Sequence, residues 1–192
     1  MTFNEEEFKL KAKAEVVRCR PGDWEHACRV VEWVKRLGQG RPGLWLLISA
    51  AYIHDIGWRD ILTKDTKITK AELKHFEPEA NRNSNKFSSD FLISLGYEAS
   101  EIETIHRLIL AADRHSSAAE DEAIIVDSDN LSKLDINHLK EKYQPSDWIK
   151  MYGLWQETFP DRIQTEAGRS CFEPLLAKLK HAIDLELKKT AS

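Results

Sequence analysis

The chain has only three cysteines, Cys19, Cys28 and Cys171, among its 192 residues. They form no CxxC and cannot all pair, so a reducing interior is the simplest setting. An excess of positive charge is also missing. Twenty-eight Lys and Arg stand against 32 Asp and Glu, for a formal net charge of −4 and a pI near 6. That balance argues against a polyanion-binding surface, because nucleic-acid binders usually carry a basic stripe. No apolar run reaches the length of a bilayer span, since Leu44 to Ile56 is bounded on both sides by Gly, Pro and charge. The opening Met1-Thr2-Phe3-Asn4-Glu5-Glu6-Glu7 is acidic and lacks the basic-then-apolar order of a signal peptide. There is no internal repeat and no low-complexity segment. A cytoplasmic protein is expected, with neither membrane nor nucleic-acid polymer among its partners.

What is present reads as helix almost throughout. Residues 4–18 form a charged, modestly amphipathic helix, and Pro21-Gly22-Asp23 breaks the chain, with Asp23 placed to cap the next helix. There Trp24, Ala27, Cys28, Val31, Val34 and Leu37 recur at three- and four-residue spacing. A glycine-rich loop over 38–43 leads into a helix running to about Ile56, and Gly57 suits its C-terminal cap. Residues 58–70 read as an irregular connection. Further helices are predicted from about Pro78 to Leu95, Glu101 to Ala112 and Ala123 to Leu134, with two or three more beyond. Ile124-Ile125-Val126 has strand propensity, but one short run makes no sheet. Five of the six tryptophans (Trp24, Trp33, Trp45, Trp148 and Trp155) sit among apolar neighbours as core or groove residues. The expected fold class is all-α.

The third helix is apolar on every side and must be buried, yet it ends in His54-Asp55. Burying an imidazole and a carboxylate costs several kcal/mol unless their lost hydration is offset. A hydrogen-bonded core histidine offsets part of it. A divalent metal offsets both, since these are the nitrogen and oxygen ligands such ions take. Three elements stand in order along the chain: His26 in His26-Ala27-Cys28-Arg29-Val30, the apolar run into His54-Asp55-Ile56-Gly57, and Asp127-Ser128-Asp129-Asn130-Leu131.

This H … HD … D order resembles the HD-domain superfamily of metal-dependent phosphohydrolases, over roughly residues 22–135. The resemblance implies a single domain over 1–192, an HD-type bundle of five to seven core helices. An N-terminal helix (1–20) and a C-terminal helical extension (136–192) complete it. It implies His26, His54, Asp55 and Asp129 as ligands of one divalent transition metal (Mn, Co, Ni, Fe or Zn), with Asp129 preferred over Asp127. It further implies hydrolysis of a phosphate ester or anhydride of a small molecule, nucleotides among them, by metal-activated water. Asp127 would then be a neighbouring or capping group.

Arg29, three residues after His26 and on nearly the same helix face, is a candidate phosphate contact, as are Arg82, His115 and Lys133. Some family members carry Glu three residues after the HD aspartate; here that position is Trp58, and Asp60 is the nearest acid available for proton transfer. A second metal would require His75 with His106 or His115. Substrate choice would rest on the segments Arg59 to Lys74 and Ala118 to Glu122. Two other classes stay open on sequence: a di-iron HD-type oxygenase, and a non-catalytic ligand-binding module. The oligomeric state is left open.

Overall fold

The computed structural model describes residues 3–62, 67 and 69–190, and among these it contains nine α-helices, two short 3₁₀ turns and no strand. The all-α expectation is met. In chain order the helices are α1 (Glu5–Val16), α2 (Asp23–Leu37), α3 (Leu44–Ile53), α4 (Lys70–Ser94), α5 (Ala99–Arg114), α6 (Glu120–Lys133), α7 (Ile136–Lys142), α8 (Trp148–Arg162) and α9 (Glu166–Thr190).

Helix α3 is the hub. Every residue from Leu47 to Ile53 is buried, and α1, α2, α5 and α6 pack around it. The uniform apolarity of its sequence therefore matches a helix walled in on all sides. The main core gathers Val30, Val31 and Val34 of α2 with Ile48 and Ile53 of α3, Ile105, Leu108 and Ile109 of α5, and Ile124 and Ile125 of α6. A second core joins Leu131 and Leu134 at the end of α6 to Leu139, Trp155, Phe159, Phe172 and Leu179. Helix α6 thus carries one core on each end, and its middle, where the acidic Asp127-Ser128-Asp129 falls, lies between them. Ile124-Ile125-Val126 is helical, its strand propensity overridden by packing on both flanks. Trp24, Trp148 and Trp155 are buried, while Trp33 and Trp45 pack half-buried against the cores.

Three local readings are corrected. Asp23 does not cap α2: Gly22, at φ +75°, is the N-cap, and Asp23 is the first helical residue and fully buried. Gly57 does not cap α3, which ends at Ile53; it lies in a 3₁₀ turn, Ile56–Trp58. A Cβ at Gly57 would collide with the backbone carbonyl of Ala80, so glycine is needed there for close approach to α4. Helix α4 starts at Lys70, eight residues before the expected Pro78, because Thr69 and Glu72 form a reciprocal capping box. Pro78 is accommodated inside the helix.

Candidate metal centre and its cleft

One cleft collects most of the chemistry. Its cavity volume is about 130 Å³, and residues from α2, α4, α5, α6, α7 and the segment after α3 line it. His26 comes from the first turns of α2. His54 is the C-cap of α3, where the buried helix delivers it inward, and Asp55 follows directly. Asp129 projects from the middle of α6. All four are among the cleft residues, and His26, His54 and Asp129 are almost wholly buried.

The two imidazoles meet nitrogen to nitrogen. Nε2 of His54 lies 3.2 Å from Nε2 of His26, and Oδ1 of Asp129 lies 3.1 Å from the first of these rings' partner, His26 Nε2, and 3.8 Å from His54 Nε2. Oδ2 of Asp55 is 3.6 Å from His54 Nε2. His26, His54 and Asp55 each offer one ligand atom, all within 4.8 Å of one another, an arrangement that could hold a metal ion.

The outward-facing ring nitrogen of His54 fixes its tautomer. His54 Nδ1–H donates to the Ala51 carbonyl at 2.9 Å. The Ser132 hydroxyl donates to the Asp129 carbonyl at 2.8 Å and lies 3.2 Å from His26 Nδ1. His54 thus turns its Nε2 lone pair inward, while His26 can carry its proton on Nδ1 toward Ser132 or on Nε2 toward Asp129. The carboxylates are split the same way. Asp55 presents Oδ2 to His54 while Arg20 holds Oδ1 at 2.6 Å. Asp129 presents Oδ1 to the imidazoles while Lys133 holds Oδ2 at 2.5 Å.

Arg20 is the centre of a buried charge network. Its Nε and backbone N–H donate to Asp23 Oδ2 at 3.0 and 2.8 Å, and its guanidinium stacks 4.1 Å over the Trp58 ring. Lys142 touches the other oxygen of Asp23 and lies 4.0 Å from Asp55. Burial, helped by Arg20, pulls the Lys142 amine well below the ordinary lysine value.

Burial pulls His26 down to about 4, against the pull of Asp129 in the other direction. Burial likewise takes His115 to about 4, helped by Lys133, and takes His138 well below the ordinary histidine value, helped by His26. Burial alone would raise Asp55, but Arg20, His54 and His26 outweigh it and bring its carboxyl to about 2. Asp129 is held well below the usual carboxylate range, because Lys133 and His26 overcome its desolvation.

The remaining candidates divide. His115, at φ +50° beyond α5, and Lys133 both line the cleft, and His115 Nδ1 is 3.9 Å from Asp129 Oδ2. Arg29 does not reach it: its guanidinium is bidentate to Glu141 of α7, at 3.1 and 2.6 Å. Asp60 has φ +62°, pairs with Arg18 and is not among the cleft residues, so the acid expected to transfer a proton does not reach the site. Arg82 and His75 are exposed on α4, whose cleft-facing stripe is Leu73, Glu77 and Asn81 at four-residue spacing. His106 bonds Ser89 between α5 and α4 at 3.2 Å, away from the cleft. Of the histidines proposed for a second metal, only His115 reaches the cleft.

Asp127 points to the opposite side of α6. Its carboxylate accepts the backbone N–H groups of Gln164 and Thr165, both at 2.8 Å, and the Thr165 hydroxyl at 2.6 Å. Within the segment Arg59 to Lys74, residues 63–66 and 68 lie outside the described residues. The segment Ala118 to Glu122 is not among the cleft residues.

Sequence reasoning missed Arg20, Asp113, His138, Lys142 and Tyr143, all of which line the cleft. His138 packs edge-on to His26 with ring centroids 4.8 Å apart. His138 and Lys142 sit four residues apart on one face of α7. Neither a family model, nor a curated protein, nor a solved structure matches this chain.

Proposed function

We propose that this chain is an HD-type, metal-dependent phosphohydrolase acting on a phosphate ester or anhydride of a small molecule, with nucleotides among the candidates. One observation carries the reading. Four groups able to ligate a metal, two Nε2 and two carboxylate oxygens, come together from α2, the end of α3 and α6. A single proton satisfies two such groups, whereas a divalent cation satisfies all four. The mixed nitrogen and oxygen set suits Mn²⁺, Co²⁺, Ni²⁺, Fe²⁺ or Zn²⁺.

A cation held by His26, His54, Asp55 and Asp129 supplies polarisation of a phosphoryl group and activation of water. The chain's own residues do the rest. Arg20 and Lys133 hold the outer oxygens of Asp55 and Asp129, which fixes the direction of their inner oxygens. The same two cations, with His115 beside them, line the cleft where an anion would enter. The 130 Å³ cavity is close to the roughly 150 Å³ that holds a benzene ring, which suits a phosphoryl group. The remainder of a substrate would extend past the rim at Leu73, Glu77 and Asn81.

The test pairs elemental analysis of the purified protein with a screen for phosphate or pyrophosphate release across nucleotides and sugar phosphates, with Mn²⁺, Co²⁺ or Ni²⁺ added. About one divalent ion per chain is expected, retained through these ligands, and the double variant His54→Ala/Asp55→Ala should lose it. Full occupancy in that variant rejects the site. A silent screen with turnover on reduced iron and dioxygen rejects hydrolysis in favour of oxygenation.

A further inference from the structure

His138 is the buried polar side chain of the cleft that nothing in the chain satisfies. His26, His54, Asp129, Lys142 and His138 are all buried and all line the cleft. The others are partnered: His26 and Asp129 with each other, His54 with the Ala51 carbonyl, Lys142 with Asp23. His138 is only 3% exposed, and among the described residues its ring makes no hydrogen bond and no ion pair. Its Nδ1 is sealed from solvent without a partner. Nε2 is not sealed, which leaves it as the nitrogen that opens on the cleft.

For packing alone a phenylalanine would serve. The ring lies edge-on to His26 and to Trp155, with centroids 4.8 and 5.7 Å away, and 6.0 Å from Tyr143. Those contacts fix its direction. They leave the nitrogens unmet, which is costly unless a partner arrives from the cleft. A sealed nitrogen without a partner is better left as a lone pair than as an orphaned N–H, so the neutral ring carries its hydrogen on Nε2. A protonated ring carries one there too. In either state Nε2 is a donor that requires an acceptor. The inner carboxylates Asp55 and Asp129 are already held by Arg20 and Lys133. The acceptor therefore comes with a ligand, and the cations on the cleft wall favour an oxyanion.

We propose that His138 binds the substrate, donating Nε2–H to a non-bridging phosphoryl oxygen. The identity of that oxyanion rests on the phosphohydrolase reading. The role is one of binding, and no proton changes hands.

The experiment measures inorganic phosphate binding by calorimetry to the full chain loaded with one equivalent of Mn²⁺. Wild type is compared with His138→Phe, His138→Asn and His138→Gln. Phenylalanine keeps a ring and removes both nitrogens; the glutamine amide stands in for Nε2, and the asparagine amide for Nδ1. Losing a hydrogen bond to a charged group should weaken phosphate by about tenfold or more in the Phe and Asn variants. The Gln variant should keep most of the affinity, and metal content should be the same in all four proteins. No phosphate binding by wild type, or unchanged binding in His138→Phe, overturns the role. Equal loss in His138→Gln and His138→Phe reduces His138 to packing and overturns it too. Metal lost from His138→Phe overturns it in favour of a metal ligand. The hydrolase reading is judged apart, by the ester screen. Turnover with His138-independent phosphate binding rejects this role alone, whereas His138-dependent binding by a protein silent on every ester rejects hydrolysis and supports the anion contact. A long-range ¹H–¹⁵N spectrum of Zn²⁺-loaded wild type is independent of how any variant folds. His138 should carry its hydrogen on Nε2, and its ring nitrogens should shift as phosphate is added; a hydrogen on Nδ1 alone, or no shift, overturns the proposal.

Discussion

Nε2 of His26 and Nε2 of His54 face each other at 3.2 Å although 28 positions separate them in the chain. Their meeting depends on α2 and α3 packing as neighbours, and on α3 ending where it does. Each ring is oriented from behind, His54 by the Ala51 carbonyl and His26 by the Ser132 hydroxyl. Orientation from behind fixes the direction in which each ring presents its Nε2.

Burying so many neutral histidines has a consequence for stability against pH. His26 and His115 sit at about 4 and His138 well below its ordinary value, mainly through burial, against 6.5 in an unfolded chain. Between these limits the unfolded state binds more protons than the folded one. Stability is then fully present above about pH 6.5 and declines on acidification, by about 1.4 kcal/mol per pH unit for each proton. Asp113, raised to about 7 by burial and by Asp55, acts with opposite sign, but it is one group against three. The chelator-treated protein should therefore melt progressively lower from pH 7 to pH 5. A Tm that is flat or rises over that range contradicts it.

The helices and the burial of α3 were legible because each is written locally, in periodicity, Gly and Pro punctuation, and uniform apolarity. So were the four ligand candidates, which the fold brings into one cleft. The start of α4 was legible too, in Thr69 and Glu72, but Pro78 masked it. Asp113, His138, Lys142 and Arg20 were not, because nothing in their local sequence separates a cleft residue from a solvated one. Their role comes from which helices neighbour α5 and α7, a tertiary fact. Arg29 illustrates the reverse error. Its spacing from His26 was read correctly as one face, yet Glu141 of α7 claims the guanidinium first.

Gly57→Ala tests the packing behind the site. The added Cβ would strike the Ala80 carbonyl and crowd the Ser84 backbone nitrogen, so α4 must move away from the turn that follows Asp55. A loss of about 1–3 kcal/mol is expected from such overpacking, read as a lower urea midpoint, together with weaker metal retention. An unchanged midpoint would show that the two backbones are not in close contact.

Arg29 and Lys133 should separate in kinetics. Arg29→Ala breaks a partly exposed pair with Glu141, worth about 0.2–1 kcal/mol of stability, and should leave KM for a phosphorylated substrate unchanged. Lys133→Ala removes a cleft cation and should raise KM more than it lowers kcat if that cation holds the substrate in the ground state. The opposite pattern would mean that Arg29 leaves Glu141 to bind substrate.

Asp127 and Asp129 lie one residue apart on α6 and should fail differently. Asp129 turns Oδ1 toward His26 and His54, so Asp129→Ala should cost metal retention and activity together. Asp127 turns the other way. It accepts three hydrogen bonds from Gln164 and Thr165, and Gly168 comes so close to it that a Cβ there would collide with its Oδ2. It pins the turn between α8 and α9 onto α6. Asp127→Ala should leave the two backbone N–H groups without their acceptor and lower stability by about 1.5–3 kcal/mol, as expected for bonds to a charged group. Metal content per folded chain should stay near that of wild type. Elemental analysis of both variants at a temperature where both are folded checks the assignment. Metal lost from Asp127→Ala and kept by Asp129→Ala would exchange the roles of the two acids.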